Sequence, residues 1–181
     1  MIVTTLQAVS GAGYPGVASM DILGNVVPFI GGEEPKMEQE TQKIMGDFAG
    51  DHVRPLAAKV SAHCNRVPVV DGHLVTVSVK LSAQPSQTDL MCAFDEFTGV
   101  PQQRKLPSAP VKPVTYMPQH DRPQPRQDAE RDRGMAAFVG RLRACPVLDY
   151  KFVALTHNTI RGAAGAAVLN AELMHSEGML D

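Results

Sequence analysis

The sequence contains no tryptophan, and aromatic residues make up only 5% of its 181 positions. A core must therefore be assembled from Val, Leu, Ile, Met and Ala, which is feasible because hydrophobic residues reach 44%. Cysteine is also scarce: Cys64, Cys92 and Cys145 are the only three, and no pair has C-x-x-C spacing. That pattern argues against a disulfide framework or a cysteine zinc site, and it fits a reducing cytoplasmic compartment. Neither sign of charge dominates. The 17 basic and 19 acidic side chains leave a net charge of -2, which offers no electrostatic footprint for nucleic acid or an anionic membrane. No apolar run approaches the roughly 20 residues of a membrane helix. Met1–Val9 lacks the basic and apolar regions of a signal peptide. One domain over 1–181 is expected, with no metal, nucleic-acid or membrane partner.

Residues 2–9 are β-branched and partly alternating, and predict a strand. A glycine-rich turn follows over 10–17, and Asp21–Leu23 offers a short helix before Gly24, Pro28, Gly31 and Gly32 break the chain. Met37, Ile44, Met45 and Phe48 fall near helical spacing, with Pro35 in the first turn and Gly50 past the end, so a helix is predicted over about 35–48. The clearest β signal spans 57–82. Val67–Val70 and His73–Leu81 are joined by Asp71-Gly72, which predicts a hairpin. Residues 87–97 read as a helix capped by Thr88 or Asp89 and stopped by Gly99. Seven prolines between 101 and 125 predict an extended or partly disordered arm at about 100–130. Met135–Arg143 and Tyr150–Thr156 read as strands, and 159–177 as an Ala-rich helix whose Gly162 and Gly165 permit close packing. This order lacks strict βαβ alternation. It predicts an α+β fold with a mixed, largely antiparallel sheet.

Few residues stand out for chemistry. Gly11-Ala-Gly13-Tyr-Pro-Gly16 is a literal G-x-G-x-x-G, but Pro15 interrupts it and no parallel strand follows at the distance a dinucleotide fold needs. It reads as a tight turn. Arg66 and His73 flank the Asp71-Gly72 turn, and alternation places both on one face of the expected hairpin, on the order of 13 Å apart along the strand. Arginine presents a fork for a carboxylate, and histidine titrates where a general acid or base must. Glu33 and Lys36 sit at the start of the 35–48 helix, where acidic charge suits the helix dipole. His120, Arg122, Arg126, Arg131 and Arg133 alternate with acids and read as a solvated arm. Asn158 reads as the cap of the last helix, whose N-terminus can attract an anion. No cysteine lies in a motif that would activate it.

Several stretches together resemble a known family. They are Thr5-Leu-Gln-Ala-Val-Ser-Gly-Ala-Gly-Tyr-Pro-Gly, Gly32-Glu-Glu-Pro-Lys with Glu40-Thr, Cys64-Asn-Arg-Val-Pro-Val-Val-Asp-Gly-His, Asp121-Arg-Pro-Gln-Pro-Arg and His157-Asn-Thr-Ile-Arg-Gly-Ala-Ala-Gly. In this order they resemble the C-terminal catalytic and dimerisation half of aspartate-semialdehyde dehydrogenases of the archaeal and fungal branch. The resemblance implies an α+β domain with helices on one side of its sheet, pairing as a homodimer. It implies that Arg66 holds the substrate carboxylate and that His73 is the acid/base. Glu33 and Lys36 would contact the substrate's amino and phosphate ends, and Asn158 would lie near the nicotinamide. The family's NADP-binding half and nucleophilic cysteine have no counterpart in these residues. Cys64 matches an ordinary position beside the arginine.

Thioester formation needs a thiolate and hydride transfer needs a nicotinamide, so the chain by itself is expected to be inactive as that dehydrogenase. The leading expectation is therefore a repurposed stand-alone enzyme without a cofactor. It would use His73 and Glu33 as catalytic groups and Arg66, Lys36 and Asn158 for binding. Its chemistry would be isomerisation, cyclisation, elimination or hydrolysis of a small molecule in specialised-metabolite biosynthesis. The alternatives are a non-catalytic dimerisation partner and a truncated fragment of the NADP-dependent enzyme.

Overall fold

The computed structural model describes residues 1–180. A six-stranded sheet organises the chain. Its strands are β1 (Ile2–Gln7), β4 (Ser61–Arg66), β5 (His73–Val79), β6 (Val114–Met117), β7 (Ala137–Ala144) and β8 (Tyr150–Thr156). Their spatial order is β4-β1-β5-β8-β7-β6, and a separate short ladder pairs β2 (Asp47–Phe48) with β3 (Val53–Arg54). β1 runs parallel to β4 and β6 parallel to β7, while the β1–β5, β5–β8 and β7–β8 pairs are antiparallel. The expected mixed, largely antiparallel α+β architecture is thus observed.

The expected hairpin does not form. Val67–Val70 lies outside any strand, and β1 inserts between β4 and β5. The Asp71-Gly72 turn therefore ends a loop that crosses over the end of β1. The β signal over 57–82 does contain a first strand, but it lies at 61–66 and not at 67–70: polar Ser61, His63 and Asn65 alternate there with buried Ala62, Cys64 and Arg66.

Two helices pack on one face of the sheet. After the short helix α1 (Ser19–Ile22), α2 (Glu33–Ile44) lies along β4, and α3 (Gln87–Asp95) lies over β6 and β7. Phe94 of α3 meets Phe152 edge-on, with ring centroids 5.4 Å apart. β4 is an edge strand, and α2 covers that edge chemically as well as sterically. The backbone N–H groups of Ala62 and Cys64 donate to Glu38 Oε1 and Glu34 Oε1, each at 3.0 Å, which satisfies donors that would otherwise invite pairing with another chain. α2 starts two residues before its expected position and ends at Ile44, since residues 47–48 enter the small ladder instead. α3 is capped by Ser86, which accepts from the Asp89 N–H while the Asp89 carboxylate accepts from the Ser86 N–H. That box displaces the expected caps Thr88 and Asp89 to interior positions.

The proline-rich stretch is ordered into elements rather than left as a bare arm. It contains the short helix α4 (Val100–Gln103), edge strand β6 and the short helix α5 (Pro125–Asp128). Prolines at the strand boundary and helix start are compatible with both. This stretch closes the face opposite α2 and α3. Ala129 packs with Met117, Ala136, Phe138, Leu155 and Leu74, and Phe138 and Leu155 are fully buried. Each such side chain contributes about 1.5–3 kcal/mol by leaving water. Asp128 is wholly buried and accepts from Arg122 Nε and the Gln124 N–H, both at 2.7 Å.

The last helix is α6 (Gly165–Ser176), entered through a wider π turn at Ile160–Ala164. Its Leu169 and Leu173 pack with Ile160 on Leu106, Ala109 and Met135. The small-residue expectation holds at Gly165, where any Cβ would collide with Met135 Sδ and crowd Ile160. Asn158 does not cap this helix, because its amide is committed elsewhere, as described next.

Candidate active site

Register brings four polar side chains side by side at one end of the sheet. Arg66 pairs with Gln7 across β4 and β1, and His73 pairs with Thr156 across β5 and β8. The β1–β5 register puts Gln7 next to His73 on the same face. Together with Ser10, Gly11, Glu33, Lys36 and Asn158 they line a cleft of about 540 Å³. All five residues singled out from the sequence reach this cleft: Arg66, His73, Glu33, Lys36 and Asn158.

Arg66 and His73 hang from the same residue. Arg66 Nη1 donates to the Ala8 carbonyl at 2.7 Å, and the Ala8 N–H donates to His73 Nδ1 at 3.2 Å. A Cβ built on Gly11 would sit 2.9 Å from His73 Nε2 and 3.0 Å from Arg66 Nη1. The two functional ends therefore share one small space above Gly11. The wide separation expected along a hairpin is not found, because the intervening β1 and the crossing loop bring both residues to the end of β1.

Burial lowers the basicity of both groups. Arg66 is 6% exposed, and desolvation moves its pKa downward against the pull of Glu33. His73 is pushed down to about 4, first by burial and then by the Arg66 charge, with Glu33 opposing. The ring is therefore neutral near pH 7. Because Nδ1 accepts the Ala8 N–H, the neutral ring carries its proton on Nε2. The Cε1–Nε2 edge of the ring lies beside Gly11, so the imidazole meets the cleft with its Nε2–H donor. The Ala8 carbonyl is the one acceptor that the Arg66 side chain uses among the described residues. No side-chain nitrogen or oxygen there is both buried and unpartnered, so the remaining guanidinium donors open onto the cleft.

Glu33 and Lys36 enter from the first turn of α2 and pair with each other at 3.6 Å. Glu33 Oε2 also accepts from Gln7 Nε2 at 3.3 Å, which ties the helix start to the floor of the cleft. Asn158 is a clamp. Its Oδ1 accepts from the Gly72 N–H at 2.9 Å and its Nδ2 donates to Ser10 Oγ at 2.8 Å. It thereby joins the His73 turn, the Gly11 turn and the end of β8.

Gln7 and Ser10 were not singled out from the sequence, and Gly11 only as part of a tight glycine turn. Gln7 carries a legible signal: it is the third inward position of β1 after Val3 and Thr5, and a polar residue there needs a polar neighbour. Gly11 carries none, since its importance lies in what approaches it. The glycine segment forms one turn of 3-10 helix over Val9–Ala12 that ends at Gly13 and opens no α-helix, so these residues do not fit a dinucleotide's pyrophosphate. The cysteines lie outside the cleft. Cys64 is buried among Thr5 and Gln7, and burial pushes its thiol pKa up. No cluster of three metal-ligating side chains occurs among the described residues. No described helix is long and apolar enough to cross a membrane.

Residues 1–161 match the family model of the semialdehyde dehydrogenase dimerisation domain. An aspartate-semialdehyde dehydrogenase from Methanothermobacter thermautotrophicus is 51% identical over 175 residues, covering 96% of this chain and 50% of that protein. One from Cryptococcus neoformans is 48% identical over 187 residues, covering 99% and 51%. The crystal structure of the Candida albicans aspartate-semialdehyde dehydrogenase with NADP superposes with a TM-score of 0.90 at 43% identity, over 99% of this chain and 51% of that one. The chain thus spans about half the length of the curated relatives it matches. These findings overturn the expectation of a repurposed, cofactor-independent isomerase, cyclase or lyase of specialised metabolism. Relatives at this identity are named dehydrogenases, and they match along nearly the whole chain. The alternative of a dehydrogenase portion accounts for them without any change of chemistry. The chain belongs to the semialdehyde dehydrogenase dimerisation-domain family.

Proposed function

We propose that this chain supplies the substrate-anchoring and proton-donating half of an aspartate-semialdehyde dehydrogenase site, and that it pairs with a second copy. The observation that carries the reading is the joint suspension of Arg66 and His73 from Ala8, facing the space above Gly11. A substrate carboxylate takes the open donors of the Arg66 fork. Glu33 accepts from the substrate amino group, and Lys36 holds an anionic end at the cleft mouth. His73 Nε2–H then reaches the carbonyl oxygen and donates to it as negative charge develops there. Asn158 keeps these elements in register from the side on which the nicotinamide would lie. Hydride transfer and the thiol chemistry belong to groups that these residues do not provide.

The homodimer follows from the family to which the chain belongs. NMR titration with L-aspartate semialdehyde tests the half-site. Saturable shifts of the His73 Cε1–H and the Gly11 amide are expected, with loss of both responses in Arg66→Ala. Shifts that persist in Arg66→Ala would remove the anchor from the account.

A further inference from the structure

The opposite end of the sheet carries a second polar pocket. The cleft lies where His73 pairs with Thr156, whereas Tyr150 and Lys151, at the other end of β8, pair with Val79 and Arg143. There a pocket of about 290 Å³ is lined by Arg141, Arg143, His120, Gln87 and Tyr116 among others, and no carboxylate lines it. Among the described residues neither Arg141 nor Arg143 makes an ion pair. Their recorded hydrogen bonds run to the His120 carbonyl and the Arg141 carbonyl. Arg143 stands directly opposite Lys151 in the ladder, an arrangement of like charges that weakens a sheet. The nearest acid in sequence, Asp121, is turned toward Gln124.

The backbone adds an independent sign. The β7–β8 register breaks between Gly140 and Arg143, and Arg141 at that bulge has φ 57°. An L side chain other than Asn or Asp rarely adopts this conformation, and glycine would adopt it freely. Bulges of this kind re-aim side chains. Here one places Arg141 on a pocket also lined by Arg143, His120, Gln87 and Tyr116. We propose that this pocket is an anion site for a phosphate group, free or as a monoester. The two guanidinium groups would supply paired N–H donors, and Gln87 and Tyr116 further ones. Occupation would also neutralise the charge that Arg143 and Lys151 build up together.

Residue-resolved NMR on the whole chain at constant ionic strength tests this, with inorganic phosphate, phenyl phosphate and chloride in separate titrations. Saturable shifts are expected at the His120, Arg141 and Leu142 amides with either phosphate and not with chloride. A response to inorganic phosphate alone would identify the free ion as the ligand class, and a stronger response to phenyl phosphate a monoester. Arg143→Ala should weaken binding about tenfold or more. Arg141→Gly should abolish it while leaving the thermal midpoint unchanged or raised, because glycine removes the guanidinium and relieves the backbone together. Should Arg141→Gly fail to fold, Arg143→Ala decides alone. Absence of saturable shifts with both phosphates, or unchanged affinity in the folded variants, would overturn the site. Shifts confined to Gly11 and Arg66 would place the anion in the cleft and equally refute it.

Discussion

Arg66 and His73 are held on opposite sides of one residue: Arg66 donates to the Ala8 carbonyl and His73 accepts from the Ala8 N–H. A shift of that single residue moves the guanidinium and the imidazole together, the anchor and the acid of the proposed half-site. The local fold explains why. β1 ends at Gln7, between the strand that ends with Arg66 and the strand that begins with His73. Ala8 is the first residue past that end and is fully buried.

Gly11 follows from the same geometry. Its φ is not positive, so alanine suits the backbone, yet the added Cβ would fall 2.9 Å from His73 and 3.0 Å from Arg66. Gly11→Ala should still fold, with a thermal midpoint lowered by an overpacking cost of about 1–3 kcal/mol. Within an assembled dehydrogenase it should lower kcat/KM about a hundredfold, the scale of a small misplacement of reacting groups. Unchanged kcat/KM would show that the space above Gly11 is not where substrate sits.

The depressed basicity of His73 has a signed consequence for stability. Its pKa falls from 6.5 to about 4 on folding, so between those pH values the unfolded chain binds more protons. Its contribution is complete above about pH 6.5 and is lost as pH falls toward 4. Urea unfolding at pH 7 and pH 4.5 should show a smaller drop in stability for His73→Asn than for the parent. An equal drop in both would mean that His73 is not desolvated as described.

Asp128 organises the proline-rich segment. It is fully buried, with Arg122, Arg131 and the Gln124 N–H around it. Burial alone would raise its pKa, but these partners hold the carboxyl below its usual range. Asp128→Ala should destabilise the fold by about 1–3 kcal/mol, since it removes the buried acceptor of the Arg122 guanidinium and leaves the Gln124 N–H without a partner. A loss below about 1 kcal/mol, the size of an exposed pair, would contradict this anchoring role.

The cysteines divide by environment. Cys92 is exposed, Cys145 has its thiol pKa lowered by the backbone N–H groups of Leu148 and Val147, and Cys64 is buried with its pKa raised. A maleimide should label Cys92 and Cys145 rapidly in the native chain and Cys64 only after unfolding. Rapid native labelling of Cys64 would reopen the assignment of that thiol to packing.

Much of this was legible in the sequence, and the misses have physical causes. β1, β8, α3 and the start of α2 follow from alternation, helical spacing and turn residues. β4 lay inside the β segment read over 57–82, but its bounds were misplaced, because its outward residues are polar and its inward row ends in Arg66 rather than in an apolar side chain. Asp71-Gly72 reads as a hairpin because turn chemistry is local, whereas inserting β1 between the two strands is decided by sheet pairing. For the candidate site, Arg66, His73, Glu33 and Lys36 stood out from spacing and turn chemistry, but only the resemblance gave them roles. Asn158 was legible as important but not as a clamp, because its partners Gly72 and Ser10 lie 86 and 148 residues away. The proline-rich stretch conceals an edge strand, which proline permits at its ends.

The central claim concerns the half-site, and a chimera measures it most directly. This chain would replace the matching half of the Methanothermobacter thermautotrophicus enzyme, to which it is 51% identical. NADP-linked turnover of aspartate semialdehyde would then be followed for the parent, His73→Ala and Arg66→Lys. The account predicts turnover by the parent chimera and a loss of about 10²–10⁴-fold in His73→Ala. It predicts a marked rise in KM for Arg66→Lys, because an ammonium cannot reproduce the fork. A folded, dimeric chimera without turnover, or full turnover after His73→Ala, would contradict it.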